Sequence, residues 1–151
     1  METLCLKSPL SDLTLFEDGA KIIALDWGQG HDAPRVTDNP ILNQAAEALR
    51  AYFQNGTAGF DGLALEPGGT DFQRRVWKEL QAIEPGRVKT YGQIAHTLNS
   101  SARAVGNACG ANPIPILIPC HRVVAQHTLG GYTGDGGLHT KTQLLRLEGY
   151  L

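Results

Sequence analysis

The sequence lacks long apolar runs. No stretch approaches the roughly eighteen consecutive apolar residues of a membrane span. The first twelve residues, METLCLKSPLSD, also lack the apolar core of a secretion signal. We therefore expect a protein of the cytoplasm, or of the nucleus in a eukaryotic cell, with no membrane partner.

Cysteine is scarce. The three cysteines are Cys5, Cys109 and Cys120, an odd number at wide spacing, which argues against a disulfide framework and suits a reducing compartment. No pair has the C-x-x-C spacing of a zinc site, and only Cys5 and His31 could begin a scattered one. The sequence therefore predicts no metal.

The net charge of −2 is at first sight unfavourable for binding nucleic acid. The charges are unevenly distributed, however. Residues 1–70 hold four basic and ten acidic side chains, whereas residues 71–151 hold nine basic and five acidic ones. This asymmetry predicts that only the second half meets a polyanion, although chance variation in surface charge would give the same pattern.

The first half has the pattern of a small α+β unit. Alternating apolar residues predict three strands, at 3–7, 13–16 and 22–26, and short turns between them favour an antiparallel meander. A loop at 28–40 precedes a helix that begins at Asn39-Pro40 and ends at Asn55-Gly56. Its inward positions are predicted to be Leu42, Ala45, Ala46, Leu49 and Phe53.

The second half is predicted to be mainly helical. A helix begins at Thr70-Asp71, with Phe72, Val76, Trp77 and Leu80 on one face, and a last helix closes the chain. Between them, TYGQIAHTL and ARAVGNACGAN form two short helices around a polar turn, which is typical of a helix-turn-helix. Glycine and proline between 56 and 70 mark a connector, so we expect lobes at 1–69 and 70–151.

The segment PIPILIPCHRVV contains three prolines, so we expect it to be stiff, buried and extended. It carries Cys120 next to His121. A thiol becomes a strong nucleophile as a thiolate, and His121 is a possible base, with Glu148 a possible carboxylate to orient it. A Cys-His pair alone does not decide the matter, because most free cysteines are buried structural residues.

The residues around Cys120 resemble a known motif. This resemblance favours a reactive cysteine over a buried structural one. NPIPILIPCHRVV resembles the active-site motif of the O6-alkylguanine-DNA alkyltransferases. TYGQIA, ARAVGNA, GGYTG and LLRLEG match the same family in the same order, so the resemblance covers residues 72–149. The first seventy residues are similar only through SPL, the strand pattern and the helix.

The resemblance implies irreversible transfer of the alkyl group to Cys120, one turnover per chain, and no cofactor. His121 would take the thiol proton through a bridging water, and Glu148 would hold the imidazole. Tyr91 would donate a proton to the departing guanine. Asn112 would connect the helix-turn-helix to the active-site segment.

The same resemblance implies how the base is bound. The Thr133 backbone would donate to O6, the carbonyl groups of Cys120 and Val123 would accept from the exocyclic amine, and Tyr132 would belong to the substrate loop. That loop is longer and more acidic here than in the family pattern, so the range of alkyl groups stays open.

The expected partner is double-stranded DNA containing alkylated guanine, bound in the minor groove by a monomer with no obligate protein partner. A base must leave the duplex to reach a buried thiol, and Arg103 would fill its place in the stack. Ala102 and Ala104 would let the helix approach the groove. Arg122 is also predicted to contact DNA.

Each of these auxiliary residues also has an ordinary structural interpretation. Tyr91 could pack against Trp77, Arg103 could be a solvated helix residue, and Glu148 could pair with Arg146 or Lys141. Cys109 is interpreted as filler, that is, a packing residue that takes no part in the chemistry. The remaining histidines, which match nothing in the motif, are expected at the surface; they are His31, His96, His127 and His139.

Three other classes of protein compete with the alkyltransferase. A non-catalytic alkyltransferase-like module, which recruits other repair factors, lacks the cysteine that is present here as Cys120. A Cys-His hydrolase needs a loop that supplies an oxyanion hole, and the sequence suggests none. A transcriptional regulator needs a dimerisation element or a sensor domain.

Overall fold

A computed structural model describes residues 1–28 and 32–151. Three strands form an antiparallel sheet in the order β1-β2-β3, as the alternating pattern predicted. Leu4 faces Leu15 across the first pair of strands, and Leu15 faces Leu25 across the second. The strands are β1 Glu2–Leu6, β2 Leu13–Asp18 and β3 Lys21–Trp27. His31 and part of the predicted loop lie outside the described residues.

Helix α1, Pro40–Gln54, packs against this sheet. Its start is capped by Asn39, whose side chain accepts hydrogen bonds from two backbone amides, and Pro40 occupies the first turn as predicted. Four of the five predicted inward positions are fully buried. The fifth differs, because Tyr52 is fully buried and Phe53 only partly.

Helix α2, Asp71–Gln81, begins with a capping box between Thr70 and Gln73. Trp77 lies in the core, and its indole Nε1 donates to the carbonyl oxygen of Ala108 at 2.8 Å. Because Ala108 belongs to a later helix, this bond ties α2 to the segment that follows it.

The predicted helix-turn-helix is confirmed in the fold. Helix α3, Tyr91–Leu98, ends at Asn99, whose left-handed backbone (φ 54°) reverses the chain. Helix α4, Ala102–Gly110, begins at the capping side chain of Ser101. The two short helices pack against each other and against α2.

Residues 114–124 are buried, as predicted for this segment, but the prediction that it is extended is wrong. The amide of Ile118 bonds to the carbonyl oxygen of Ile114 at 2.9 Å, and Ile116 has a φ of 72°. A β-branched residue rarely adopts this left-handed conformation, so the turn is strained. Proline excludes a helix but not a turn, and the side chain of Asn112 closes this one.

The strained turn leads into a single turn of 3-10 helix, Cys120–Arg122. A two-residue strand, β5 Val123–Val124, follows and pairs in parallel with β4 Lys89–Thr90. The last helix, α5 Gly137–Leu147, buries Leu144 and Leu145.

One apolar cluster extends from the sheet and α1 through α2 to the helices around Cys120. The α+β architecture predicted from the sequence is therefore confirmed. Within the described ranges, no helix is long and apolar enough to cross a membrane.

Candidate active site

Cys120 lies at the start of the 3-10 turn and is 7% exposed. It lines a cavity of about 150 Å³ that opens between α4 and the loop before α5. Cys109, interpreted above as filler, lines the same cavity and is equally buried. The other residues around this cavity are Tyr91, Gly106, Gly110, Gly131, Tyr132 and Thr133.

The environment of the Cys120 thiol has opposing effects on its acidity. Burial raises its pKa, whereas a hydrogen bond from Asn112 and the positive charge of Lys141 act against that rise. The net effect is an elevated pKa, so the resting thiol keeps its proton. Nucleophilic attack therefore requires a base close by.

His121 has the arrangement of such a base. Its Nε2 lies 2.6 Å from Oε2 of Glu148, and both side chains are fully buried. A carboxylate only accepts hydrogen bonds, so Nε2 carries the proton and Nδ1 is left as an acceptor. Nδ1 is buried and has no hydrogen-bond partner among the described residues. Burial lowers the pKa of His121, so the imidazole is neutral at pH 7 and its Nδ1 can accept a proton.

Glu148 binds donors from three side chains. Besides His121, Arg122 donates through Nε to Oε1 and through Nη2 to Oε2, both at 2.9 Å. Tyr52 donates its hydroxyl to Oε2 at 2.6 Å. Burial by itself would raise the pKa of Glu148, but the bonds from His121 and Arg122 lower it to about 2. The carboxylate therefore stays charged and holds the imidazole in place.

The structure corrects the role expected for Arg122. Its side chain is only 5% exposed and is engaged by Glu148 and by the carbonyl oxygen of Ile83, at 2.6 Å. A guanidinium committed in this way is not available to a phosphate group. The pairing of Glu148 with Arg146 or Lys141, considered as an alternative, is replaced by the pairing with His121 and Arg122.

Lys141 contributes a second buried cation that the motif did not indicate. Its Nζ donates to the carbonyl oxygen of Val123 at 2.6 Å and to that of Gly131 at 3.0 Å. Burial lowers its pKa to about 8, and negative charge on Cys120 or Cys109 would oppose this shift. The signal in the sequence was its spacing, because Lys141 precedes Leu144 by three residues and so shares the inward face of α5.

The remaining residues implied by the resemblance lie around the cavity or on α4. Tyr91 is half-buried at the first position of α3, and burial raises its pKa to about 12. It lines the cavity, and Nζ of Lys141 lies 5.8 Å from the centre of its ring. Tyr132 is partly buried, and exposed Thr133 donates its hydroxyl to the carbonyl oxygen of Gly110 at 3.4 Å.

On α4, Ala102 and Arg103 are exposed and Ala104 is partly exposed, so all three lie on an accessible part of the helix. Asn112, just beyond α4, donates to the carbonyl oxygen of Ile118 at 2.7 Å and so joins α4 to the strained turn.

The other predicted features lie away from this site. His96, His127 and His139 are exposed. Cys5 is buried in β1, apart from the Cys120 cavity. In the part of the chain that the structure describes, no three His, Cys, Asp or Glu residues are grouped so that they could hold a metal ion.

Fold and site together define a helix-turn-helix protein with a buried thiol and an adjacent histidine-carboxylate pair. Two family models match the chain. The model described as 6-O-methylguanine DNA methyltransferase, DNA binding domain, matches residues 71–150. The model for the ribonuclease-like domain of the same family matches residues 3–67. The chain belongs to the 6-O-methylguanine DNA methyltransferase family.

Individual relatives agree with this assignment. The chain is 41% identical over 150 residues to a methylated-DNA–protein-cysteine methyltransferase of Mycobacterium tuberculosis, covering 95% of this chain and 89% of the relative. It is 40% identical over 144 residues to the protein of that name from Metallosphaera sedula, covering 95% and 90%.

Solved structures have the same fold. The O6-methylguanine methyltransferase of Mycobacterium tuberculosis superimposes with a TM-score of 0.83 at 38% identity, covering 97% of this chain and 92% of that one. A structure of Mycobacterium tuberculosis OGT in complex with DNA gives a TM-score of 0.84 at 39% identity, covering 98% and 92%.

Proposed function

We propose that this protein repairs DNA by transferring the alkyl group of O6-alkylguanine, O6-methylguanine above all, irreversibly to Cys120. The observation that carries the proposal is the buried thiol in a cavity beside a neutral, Glu148-bound imidazole. The family assignment supports the same reaction.

In the proposed mechanism, Nδ1 of His121 takes the thiol proton of Cys120 through one water molecule. The sulfur then attacks the alkyl carbon, the bond from that carbon to O6 breaks, and the electron pair leaves with guanine. Tyr91 donates a proton to the departing base, and its raised pKa keeps that proton available at pH 7. The proton that His121 took from the thiol then returns through solvent to the Tyr91 phenolate, so that in net one proton passes from the thiol to guanine. The protein retains a thioether that nothing hydrolyses.

The base is held by backbone groups around the cavity. The Thr133 amide donates to O6, and the carbonyl groups of Cys120 and Val123 accept from the exocyclic amine, while Tyr132 flanks the base. Lys141 supports this arrangement because it donates to the Val123 carbonyl oxygen and so fixes the position of that group. Asn112 holds the strained turn and bonds to the thiol, so it positions the nucleophile.

DNA engagement is assigned to α4. Its exposed start, with Arg103 between two alanines, suits insertion into the minor groove, where the guanidinium takes the place of the flipped base. We propose that residues 70–151 carry DNA binding and chemistry, and that residues 1–69 form a supporting lobe. The protein would act as a monomer in the cytoplasm, without a cofactor.

The test is intact-mass spectrometry after mixing the protein with duplex DNA that contains O6-methylguanine. We expect the mass of one methyl group per chain, located by peptide mapping on Cys120. Repair of more DNA molecules than protein molecules would contradict the single-turnover mechanism.

Two cysteine variants make the assignment specific. Cys120→Ala should abolish methyl transfer, whereas Cys109→Ala removes the other thiol of the cavity and should leave transfer in place. Methyl uptake by the Cys120→Ala protein would show that a different group accepts the alkyl.

A further inference from the structure

The loop at residues 131–136 lines two cavities, the first through residues 131–133 and the second through residues 135–136. On one side is the cavity of about 150 Å³ that contains Cys120. On the other side is a cavity of about 260 Å³ between the first lobe and α5, lined in part by Leu10, Trp27, Gly136 and Thr140. A displacement of the loop would therefore enlarge the first cavity at the expense of the second.

Trp27 is the first-lobe residue that supports this loop. It ends β3, and its ring meets that of Tyr132 edge-on, with ring centres 6.4 Å apart and planes at 82°. Tyr132 is also part of the wall of the Cys120 cavity. The position of this wall thus depends on a residue far from the motif in the sequence.

Gly134 shows how closely the loop is packed here. A Cβ atom at this position would lie 2.9 Å from Cζ of Tyr132 and 3.0 Å from Nε1 of Trp27. Such distances are shorter than van der Waals contact. The loop backbone therefore lies directly against both rings, and it cannot move outward unless Trp27 moves or is replaced.

Hydrogen bonds from Lys141 and Thr140 hold the loop backbone at Gly131 and Asp135, but the two rings of this wall are held by packing alone. Nε1 of Trp27 and the hydroxyl of Tyr132 are both buried, and neither has a hydrogen-bond partner in the described parts of the chain. Buried polar groups are normally paired, so stability alone does not favour this contact. Outward movement of the loop would let both groups reach water.

We propose that Trp27 determines which O6 substituents the site accepts, an inference that rests on the proposed alkyl transfer. A cavity of about 150 Å³ takes a group the size of a benzene ring. We expect this cavity to take guanine with a methyl group, whereas a bulkier substituent has to push Tyr132 toward the cavity of about 260 Å³. Trp27 resists this movement, so it selects small alkyl groups.

The experiment compares single-turnover rate constants on duplex DNA containing O6-methylguanine or O6-benzylguanine. Trp27→Leu removes the aromatic edge and keeps the position apolar. We expect the benzyl-to-methyl ratio of rate constants to rise about three- to tenfold, the change that corresponds to loss of one aromatic pair. Trp27→Phe keeps a smaller aromatic ring, so it should raise the benzyl-to-methyl ratio less than Trp27→Leu does. It provides the same test if Trp27→Leu fails to fold.

Ile22→Val is the matched control, because it loosens the same strand at a buried position that does not line either cavity. The benzyl-to-methyl ratio of rate constants in this variant should equal that of the unmodified protein. An unchanged ratio in both Trp27 variants, or an equal loss on both substrates, would overturn the proposal. Failure of the unmodified protein to take up methyl groups would instead refute the proposed function itself.

Discussion

The hydrogen bond from Tyr52 to Glu148 leads to a testable prediction about how α1 supports the active site. Tyr52→Phe removes only the hydroxyl, which donates to Oε2 at 2.6 Å. The ring keeps its packing between Phe53 and Phe60, at centroid distances of 5.3 and 5.2 Å. The variant therefore isolates one hydrogen bond to a buried carboxylate.

The expected loss of unfolding free energy in Tyr52→Phe depends on the other hydrogen-bond donors to Glu148. A hydrogen bond to a charged group contributes about 1.5–3 kcal/mol net. Because His121 and Arg122 still satisfy the carboxylate, we expect the lower end, about 1.5 kcal/mol of lost unfolding free energy. Looser positioning of His121 should also slow transfer to Cys120, by up to about tenfold if all of that energy is lost in the transition state.

Urea denaturation followed by tryptophan fluorescence measures the first effect, and single-turnover methyl transfer measures the second. Tyr150→Phe is the matched control, because Tyr150 is 41% exposed. A double-mutant cycle with Glu148→Gln isolates the pair, and we expect a coupling energy of at least about 0.5 kcal/mol. Additive effects in the cycle, or equal effects of the two tyrosine variants, would refute the reasoning.

Two further predictions concern acid stability and base flipping. The pKa of Glu148 is about 2 in the folded protein against 4.5 ordinarily, so its contribution is complete above pH 4.5 and is lost as the pH falls toward 2. The contribution to the free energy of unfolding amounts to about 3 kcal/mol. Urea titrations between pH 6 and 2 should show that the free energy of unfolding depends less on pH in Glu148→Gln than in the unmodified protein. The same pH dependence in both proteins would contradict this prediction. Arg103→Ala should slow repair of duplex DNA far more than reaction with free O6-benzylguanine, as measured by alkylation rates. Equal losses on both substrates would show that Arg103 does not assist flipping.

Local features of the fold were predictable from the sequence. The start of α1 at Asn39 and that of α2 at Thr70 depend on side chains that bond to amides two or three residues away. The helix-turn-helix likewise depends on short-range caps and one turn. The resemblance around Cys120 led to the family in the same way, since it lies in contiguous strings of residues.

The strained turn shows where local reasoning was insufficient. Prolines in PIPILIPC excluded a helix and suggested an extended chain, yet Ile116 adopts a left-handed conformation. Asn112 bonds on both sides of this turn, and the surrounding core buries it completely. Packing of this kind overrides the intrinsic preference of a β-branched residue.

The sequence by itself determined the first sheet, the main helices, the caps at Asn39 and Thr70, and the reactive cysteine with its neighbouring histidine. Only the tertiary structure decided that Arg122 is buried against Glu148 rather than free to bind DNA, and that Tyr52, 96 residues away, joins the same carboxylate. It also placed Trp27 behind Tyr132. The physical reason is distance along the chain. Caps and turns form between near neighbours, whereas these contacts exist only once the core has brought β3 and α1 close to the last part of the chain.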